Sequence, residues 1–260
     1  MNVIELLVTP HLAQFALELA RITGLIILTP IPWEAAPRQV KAGMVLFLGL
    51  VVHAASDTPV DLGGPLQAAL HIFSEFALGA AMGFVVRLSV AVAEIAGTTV
   101  APIMGFGAAA VFDPATGQSD TVLTRLFRQL FILLALALGV HRVILGALVS
   151  SFHALPVGST IHLAAGAPVF IELSSKALAA GVTLALPALA ILTMVQLALA
   201  FVSRAAPSMQ IFSVGFAVLL ATGAVVVYAT TPDLAHQMMD GLGGIGRVLE
   251  EVVYAFAKGV

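Results

Sequence analysis

Two kinds of residue in this chain could do chemistry. One is a set of seven histidines, and the other is a set of charged side chains placed inside long apolar runs. A helical zinc site needs two histidines one turn apart, with a glutamate beside them as general base. His11, His53, His71, His141, His153, His162 and His236 include no pair four residues apart, and His-Glu-x-x-His does not occur. No serine sits in a Gly-x-Ser-x-Gly elbow, and there is no Walker loop or dinucleotide fingerprint. Cysteine is absent, which removes thiolate nucleophiles, thiolate metal ligands and disulfides. The pattern predicts no enzyme, no metal and no cofactor. What remains is acid–base: Glu75 and Glu94 lie in apolar sequence, where an ionisable group is a proton-relay candidate by default. The favoured alternative is that they pair with Arg87 or with a partner subunit. Glu18 and Arg21 are three apart and share a helical face. Charge is expensive in lipid, so that face is expected to meet other protein; the competing reading has both side chains snorkel to an interface.

The elements that must hold these groups are apolar helices. The 260 residues are 60% hydrophobic and 10% charged, with mean hydropathy +1.08. Soluble domains are about 45–50% apolar and about 25% charged, so the chain reads as an integral membrane protein or a buried component of a hydrophobic assembly. A net charge of −3 and the lack of basic runs argue against nucleic acid. The start, Met1-Asn2-Val3-Ile4-Glu5, has no basic n-region, which argues against a cleaved signal peptide.

Apolar segments are expected at about Leu12–Thr29, Val40–Ala55, Leu66–Ala101 (one helix or two in close succession), Leu130–Val140 with a resumption after His141-Arg142 to Phe152, Pro168–Val202 and Met209–Ala229. Three prolines end the first, at Pro30, Pro32 and Pro37, with Trp33 suited to a membrane interface and Arg38 and Lys41 to its cytoplasmic side. The second is short for a full span. The third carries Glu75, Arg87 and Glu94, together with Gly79-Ala80-Ala81-Met82-Gly83, a spacing that lets helix backbones approach closely. Asp120 is the expected N-cap of a helix bearing Arg125 and Arg128 on one face. Ser159–Ala167 reads as a loop. Pro187 is expected to kink its helix. Thr230-Thr231-Pro232-Asp233 reads as the start of a tail with a flexible link at Gly241, Gly243, Gly244 and Gly246. Ile245, Leu249, Val252 and Phe256 then repeat as an amphipathic helix that lies on a protein or membrane surface. The whole is expected to be all-α: one helical domain over 1–260, with an amphipathic C-terminal region from 235.

In the middle of the chain stands Gly105-Phe106-Gly107-Ala108-Ala109-Ala110-Val111-Phe112-Asp113-Pro114-Ala115-Thr116-Gly117-Gln118. Pro102 ends the helix before it. Pro114 pushes Asp113 out of the α region, and Gly117 completes a turn. Irregular backbone at membrane depth is tolerated only where protein covers it or where it lines a watery cavity. The stretch is therefore a candidate pore loop, with a plain connecting loop as the alternative.

Two function classes follow from the residues: a structural or gating subunit of a protein-conducting assembly, and a small-solute carrier. The carrier needs polar ligands around broken helices in matched halves; Pro102 and Pro187 could break helices, but no matching halves are evident. The motifs favour the first class. Leu19-Ala20-Arg21-Ile22-Thr23-Gly24 with Pro30 and Pro37-Arg38, then Met104-Gly105-Phe106-Gly107 with Phe112-Asp113-Pro114-Ala115-Thr116-Gly117, occur in order. Gly139-Val140-His141, Ser151-Phe152 and Leu155-Pro156-Val157-Gly158 follow, then Ser203-Arg204-Ala205-Ala206-Pro207 and Phe212-Ser213-Val214-Gly215-Phe216. Together they resemble the FliR/SctT family of type III secretion export-gate subunits over about residues 12–230. Gln210 and Ala217 stand where that family usually has asparagine and proline, which affects local contacts. The Val214-Gly215-Phe216 ending is similar to the flagellar branch rather than the virulence-injectisome branch.

The resemblance implies an export-gate subunit of the flagellar apparatus in the bacterial inner membrane, at the basal body. It implies assembly with FliP-like and FliQ-like subunits, contact with FlhB-like and FlhA-like proteins, and passage of unfolded flagellar proteins. It also implies that helices which look transmembrane form tilted hairpins in a stack, much of it above the bilayer, so no topology is assigned. It makes Gly105, Phe106, Gly107, Phe112, Asp113, Pro114 and Gly117 a plug in the pore. Glu18, Arg21, Glu75, Arg87, Glu94, Arg125, Arg128 and Arg204 become candidates for buried ion pairs or subunit contacts.

Overall fold

The computed structural model describes residues 3–33, 36–55, 60, 64–106, 121–205 and 211–258. Among the described residues there are eight α-helices and no strand. They are α1 (Val3–Leu28), α2 (Arg38–Ala54), α3 (Pro65–Val100) and α4 (Val122–Ala137), then α5 (Val140–Ala154), α6 (Leu163–Ala205), α7 (Ile211–Gly243) and α8 (Ile245–Lys258). His11–Leu28, Pro65–Val100, Ala164–Ala205 and Val214–Ala257 are each long and apolar enough to cross a membrane. At 1.5 Å per residue the 43 residues of α6 extend about 65 Å, roughly twice the thickness of a bilayer's hydrocarbon core.

The contacts divide the chain into two compact helical units. The first holds Met1–Leu88, Ala135–Ser174 and Leu242–Val260; the second holds Ser89–Leu134 and Ser175–Gly241. In the first unit, α1 packs on α2 and α5 packs on α8. Leu17, Ile22, Leu25, Leu78, Met82, Ile144 and Leu148 are fully or almost fully buried there. Burying one such side chain stabilises by about 1.5–3 kcal/mol. The Gly79–Gly83 pair lies where α3 crosses α1. A Cβ at Gly79 would run into the backbone carbonyl of Arg21, and one at Gly83 would sit 2.7 Å from the carbonyl of Leu25. The small residues therefore let α3 approach the backbone of α1 closely. α8 buries Ile245, Leu249, Val252 and Phe256 and leaves Glu250 and Glu251 exposed. The surface it lies on is provided by this same chain. The Phe256 carbonyl accepts from the N–H of His162 at 3.2 Å, and its ring lies 6.1 Å from that of Phe170.

In the second unit the core is Val90, Ala93, Ala96, Val100, Met104, Phe127, Leu192 and Met238, with neighbours from each helix. Three differences from the sequence expectations stand out. First, the interruption expected at His141-Arg142 lies at Gly139, which has φ +72°, so a glycine at positive φ separates α4 from α5 and both polar residues fall inside α5. Second, α6 begins at Leu163, inside the stretch read as a loop. Third, α7 runs through Pro232 to Gly243, where a tail was expected. Proline removes one backbone N–H. The hydroxyls of Thr230 and Thr231 donate to the carbonyls of Val226 and Val227 just upstream, at 2.9 and 2.7 Å. Leu234, Met238 and Leu242 are buried beyond the proline, so packing holds the helix together past it. The glycine-rich link is a single turn residue, Gly244, between two helices.

Candidate functional site: buried ion pairs and the base of the central loop

Gln14, Glu18 and Arg21 follow one another at steps of four and three on α1 and are all fully buried. In an apolar helix such a stripe is held only where partners meet it. Arg21 does not close onto Glu18. Its Nε donates to Glu75 Oε2 at 2.7 Å, and Nη2 lies 2.5 Å from the same oxygen. Nη1 donates to the carbonyl of Ser151 at 2.9 Å, and Nη2 to the carbonyl of Leu155 at 2.9 Å. The guanidinium carbon stands 4.4 Å from the centre of the Phe152 ring, within cation–π range. The other Glu75 oxygen accepts from the N–H of Gly158 at 3.0 Å. Ser151 and Leu155 lie at the C-terminal end of α5, where a helix has carbonyls without intrahelical donors and a partial negative charge. Arg21 therefore does two jobs: it neutralises Glu75 and it caps α5. One side chain ties α1, α3, α5 and the turn after α5.

Glu18 has its own partners. Gln14 Nε2 donates to Oε1 at 2.8 Å, and His53 Nδ1 lies 3.0 Å from Oε2. His53 stands on α2, its side chain 29% exposed, with the Phe15 ring set edge-on at 5.4 Å. In the second unit, Arg128 Nη1 lies 3.5 Å from Glu94 Oε1, both half-buried. The expected Glu75–Arg87 pairing is replaced by Glu75–Arg21, because helix crossing brings α1 to Glu75. Arg87 is half-buried, and Arg125 and Arg204 are exposed on this chain.

The central loop begins in the second unit. Turns continue past Val100, and Phe106 N–H bonds the Ala101 carbonyl at 3.1 Å while Gly105 N–H bonds that of Pro102 at 3.0 Å. With φ +90° at Gly105, this is a Schellman stop. Pro102 lies inside this terminal turn, and Gly105 ends it. The stop is anchored: a Cβ on Gly105 would lie 2.8 Å from the Phe216 ring of α7, buried Met104 fills the space beside Gly223, and Gln196 Nε2 donates to the Ile103 carbonyl at 3.2 Å. On the far side, Thr121 Oγ1 accepts from the N–H of Thr124 at 3.3 Å, capping α4. Asp120, the expected cap, lies outside the described residues, as do Gly107, Phe112, Asp113, Pro114 and Gly117. A Cβ on Gly97 would lie 2.6 Å from the Thr124 Cα, so the helix before the loop and the helix after it are in direct contact.

Sequence reasoning did not find His53, Ser151, the Leu155 carbonyl or Thr121. His53 carries the one usable signal, as an imidazole within the apolar stretch of α2. Among the described residues no group of three or more His, Asp or Glu side chains is placed to hold a metal ion.

The family model of bacterial export proteins, family 1, matches residues 12–244. The chain belongs to this family. Among its family 1 relatives, flagellar biosynthetic protein FliR of Escherichia coli K12 is 31% identical over 229 residues, 84% of each chain. FliR of Pectobacterium carotovorum is 30% identical over 81% of each, and that of Bacillus subtilis is 26% identical over 82% of this chain and 84% of its own. The matched span takes in Arg21, Glu75 and Ser151 as well as both flanks of the central loop.

Proposed function

We propose that this chain is the FliR-type subunit of a flagellar protein-export apparatus, seated in the bacterial inner membrane. The observation that carries the reading is the family 1 match over 12–244, together with flagellar relatives that align over most of their own length. That these relatives bear a flagellar name favours the flagellar branch over an injectisome. The role is structural. The chain assembles with FliP-like and FliQ-like subunits, next to FlhB-like and FlhA-like proteins, around a passage for unfolded flagellar proteins. Large apolar side chains exposed along α6, such as Ile171, Leu178, Met194, Leu197 and Phe201, support burial against such partners or lipid. We assign the segment that contains Gly107, Phe112, Asp113, Pro114 and Gly117 as the plug, with Gly105 and Phe106 at its base. The Schellman stop at Gly105 and the capped start of α4 supply a fixed base on either side of the segment. Copurification with a FliP-like subunit and restoration of motility to a strain lacking the gene test the reading; failure of both would reject it. Deleting Phe106–Gly117 is expected to preserve assembly while making the passage leak ions. A deleted gate that stays tight would reject the plug.

A further inference from the structure

We propose that the groove between the end of α1 and the start of α2 is a binding site for an anionic phospholipid. This goes beyond the export reading and does not rest on it. The groove encloses about 530 Å³, within the range of small-molecule sites. From α1 it is lined by Thr23, Ile26 and Ile27; from α2 by Arg38, Lys41, Ala42, Val45 and Leu46. Each set follows one helical face at steps of three and one, so one row of side chains from each helix forms a wall. The Thr23 hydroxyl already donates to the Leu19 carbonyl at 2.6 Å, which leaves the floor apolar. Ile27 and Leu46 remain more than half exposed, so the chain itself does not close the groove.

The charge is all at one end. Arg38 and Lys41 lie in the first turn of α2, and none of the lining residues is acidic. Among the described residues neither cation makes an ion pair. They follow Trp33, a residue type that marks the headgroup level, and the apolar run of α1 that ends at Leu28. From Arg38 to Leu46 the groove runs about 12 Å along the helix axis, from the charged rim into apolar surroundings. A phosphate on the two cations and an acyl chain along Ala42, Val45 and Leu46 match both ends. A basic rim over an apolar cleft between membrane helices is the chemistry that selects anionic headgroups.

The test uses the full chain, purified in a nonionic detergent and offered phosphatidylglycerol or phosphatidylcholine, with bound lipid read by native mass spectrometry. Phosphatidylglycerol is expected to bind saturably and phosphatidylcholine poorly. Arg38→Gln with Lys41→Gln is expected to weaken phosphatidylglycerol about 25-fold, from roughly a five-fold loss per cation. Ala42→Trp keeps both cations but fills the groove, and is expected to abolish binding; far-UV circular dichroism confirms that each variant is folded. Equal retention of the two lipids, unchanged binding by the double glutamine variant, or unchanged binding by Ala42→Trp would each overturn the proposal. Exclusion of phosphatidylglycerol from the chain purified with its assembled partners would assign the groove to a protein segment, and would overturn it too.

Discussion

Replacing Arg21 with methionine keeps the length of the side chain and removes its charge. It leaves Glu75 buried with only the Gly158 N–H, and it leaves the Leu155 carbonyl without its donor. Breaking a buried ion pair from one side costs about 3–5 kcal/mol. Glu75→Gln should cost a similar amount, because it strands the guanidinium, while its own amide oxygen can still accept from Gly158. If the two sites were independent, the double variant would lose about 6–10 kcal/mol by simple addition of these single costs. The double variant has no charge to strand. It leaves one carbonyl and one amide poorly partnered, at about 1–3 kcal/mol each, so it should lose only about 2–6 kcal/mol. The assay is a double-mutant cycle on the purified, detergent-solubilised chain, by thermal unfolding followed with circular dichroism. For a chain of this size each single variant should lower Tm by roughly 6–20 °C, and the double variant by less than the sum. Because the pair is fully buried, high salt should not close the gap between variants, unlike an exposed pair. Singles that cost under about 1 kcal/mol, or a double equal to their sum within about 0.5 kcal/mol, would refute the assignment.

Gly79→Ala gains up to about 1 kcal/mol of helix propensity but forces a methyl onto the Arg21 carbonyl, so a net loss of about 1–2 kcal/mol is expected. Gly43→Ala, with nothing within 4 Å of the added carbon, should instead stabilise in the same unfolding assay. Gly139→Ala carries only the strain of positive φ, about 1–2 kcal/mol. Gly105→Ala adds a clash with Phe216 and should cost more; Phe216→Ala should recover part of the loss at Gly105 and none at Gly139. Arg204→Ala, exposed on this chain, should leave stability unchanged but reduce recovery of the assembled complex. Normal recovery would remove Arg204 from the subunit contacts.

The helical character and the stripe on α1 were legible because apolar periodicity and charges three apart are local signals. The partner of Arg21 was not, since Glu75 lies 54 residues away and nothing local distinguishes it from Glu94 as the carboxylate that a distant arginine would meet. The role of His53 was hidden by the same limit: the imidazole stands out in the apolar run of α2, but its partner Glu18 lies 35 residues away. Breaks were misread where local chemistry and packing disagree. Pro232 signals a stop, yet the side chains of Leu234 and Met238 have a core to enter, and α7 continues. Gly139 gives only a weak signal, yet its positive φ ends a helix. At the central loop the sequence found the place but gave the stop to Pro102, when Gly105 makes it.

The reach of Arg21 also bears on how the protein is made. Its last partners, Ser151, Leu155 and the Glu75–Gly158 clasp, come from chain that emerges up to 137 residues later, the span from Arg21 to Gly158. At about 5–20 residues per second a ribosome needs roughly 7–27 s to deliver them. Until Glu75 follows, 54 residues after Arg21, α1 is an apolar helix whose guanidinium lacks its carboxylate partner. It cannot settle into hydrocarbon in that state at low cost. The full set of Arg21 bonds therefore closes only once the fifth helix has been synthesised, well after Glu75 has supplied the opposite charge.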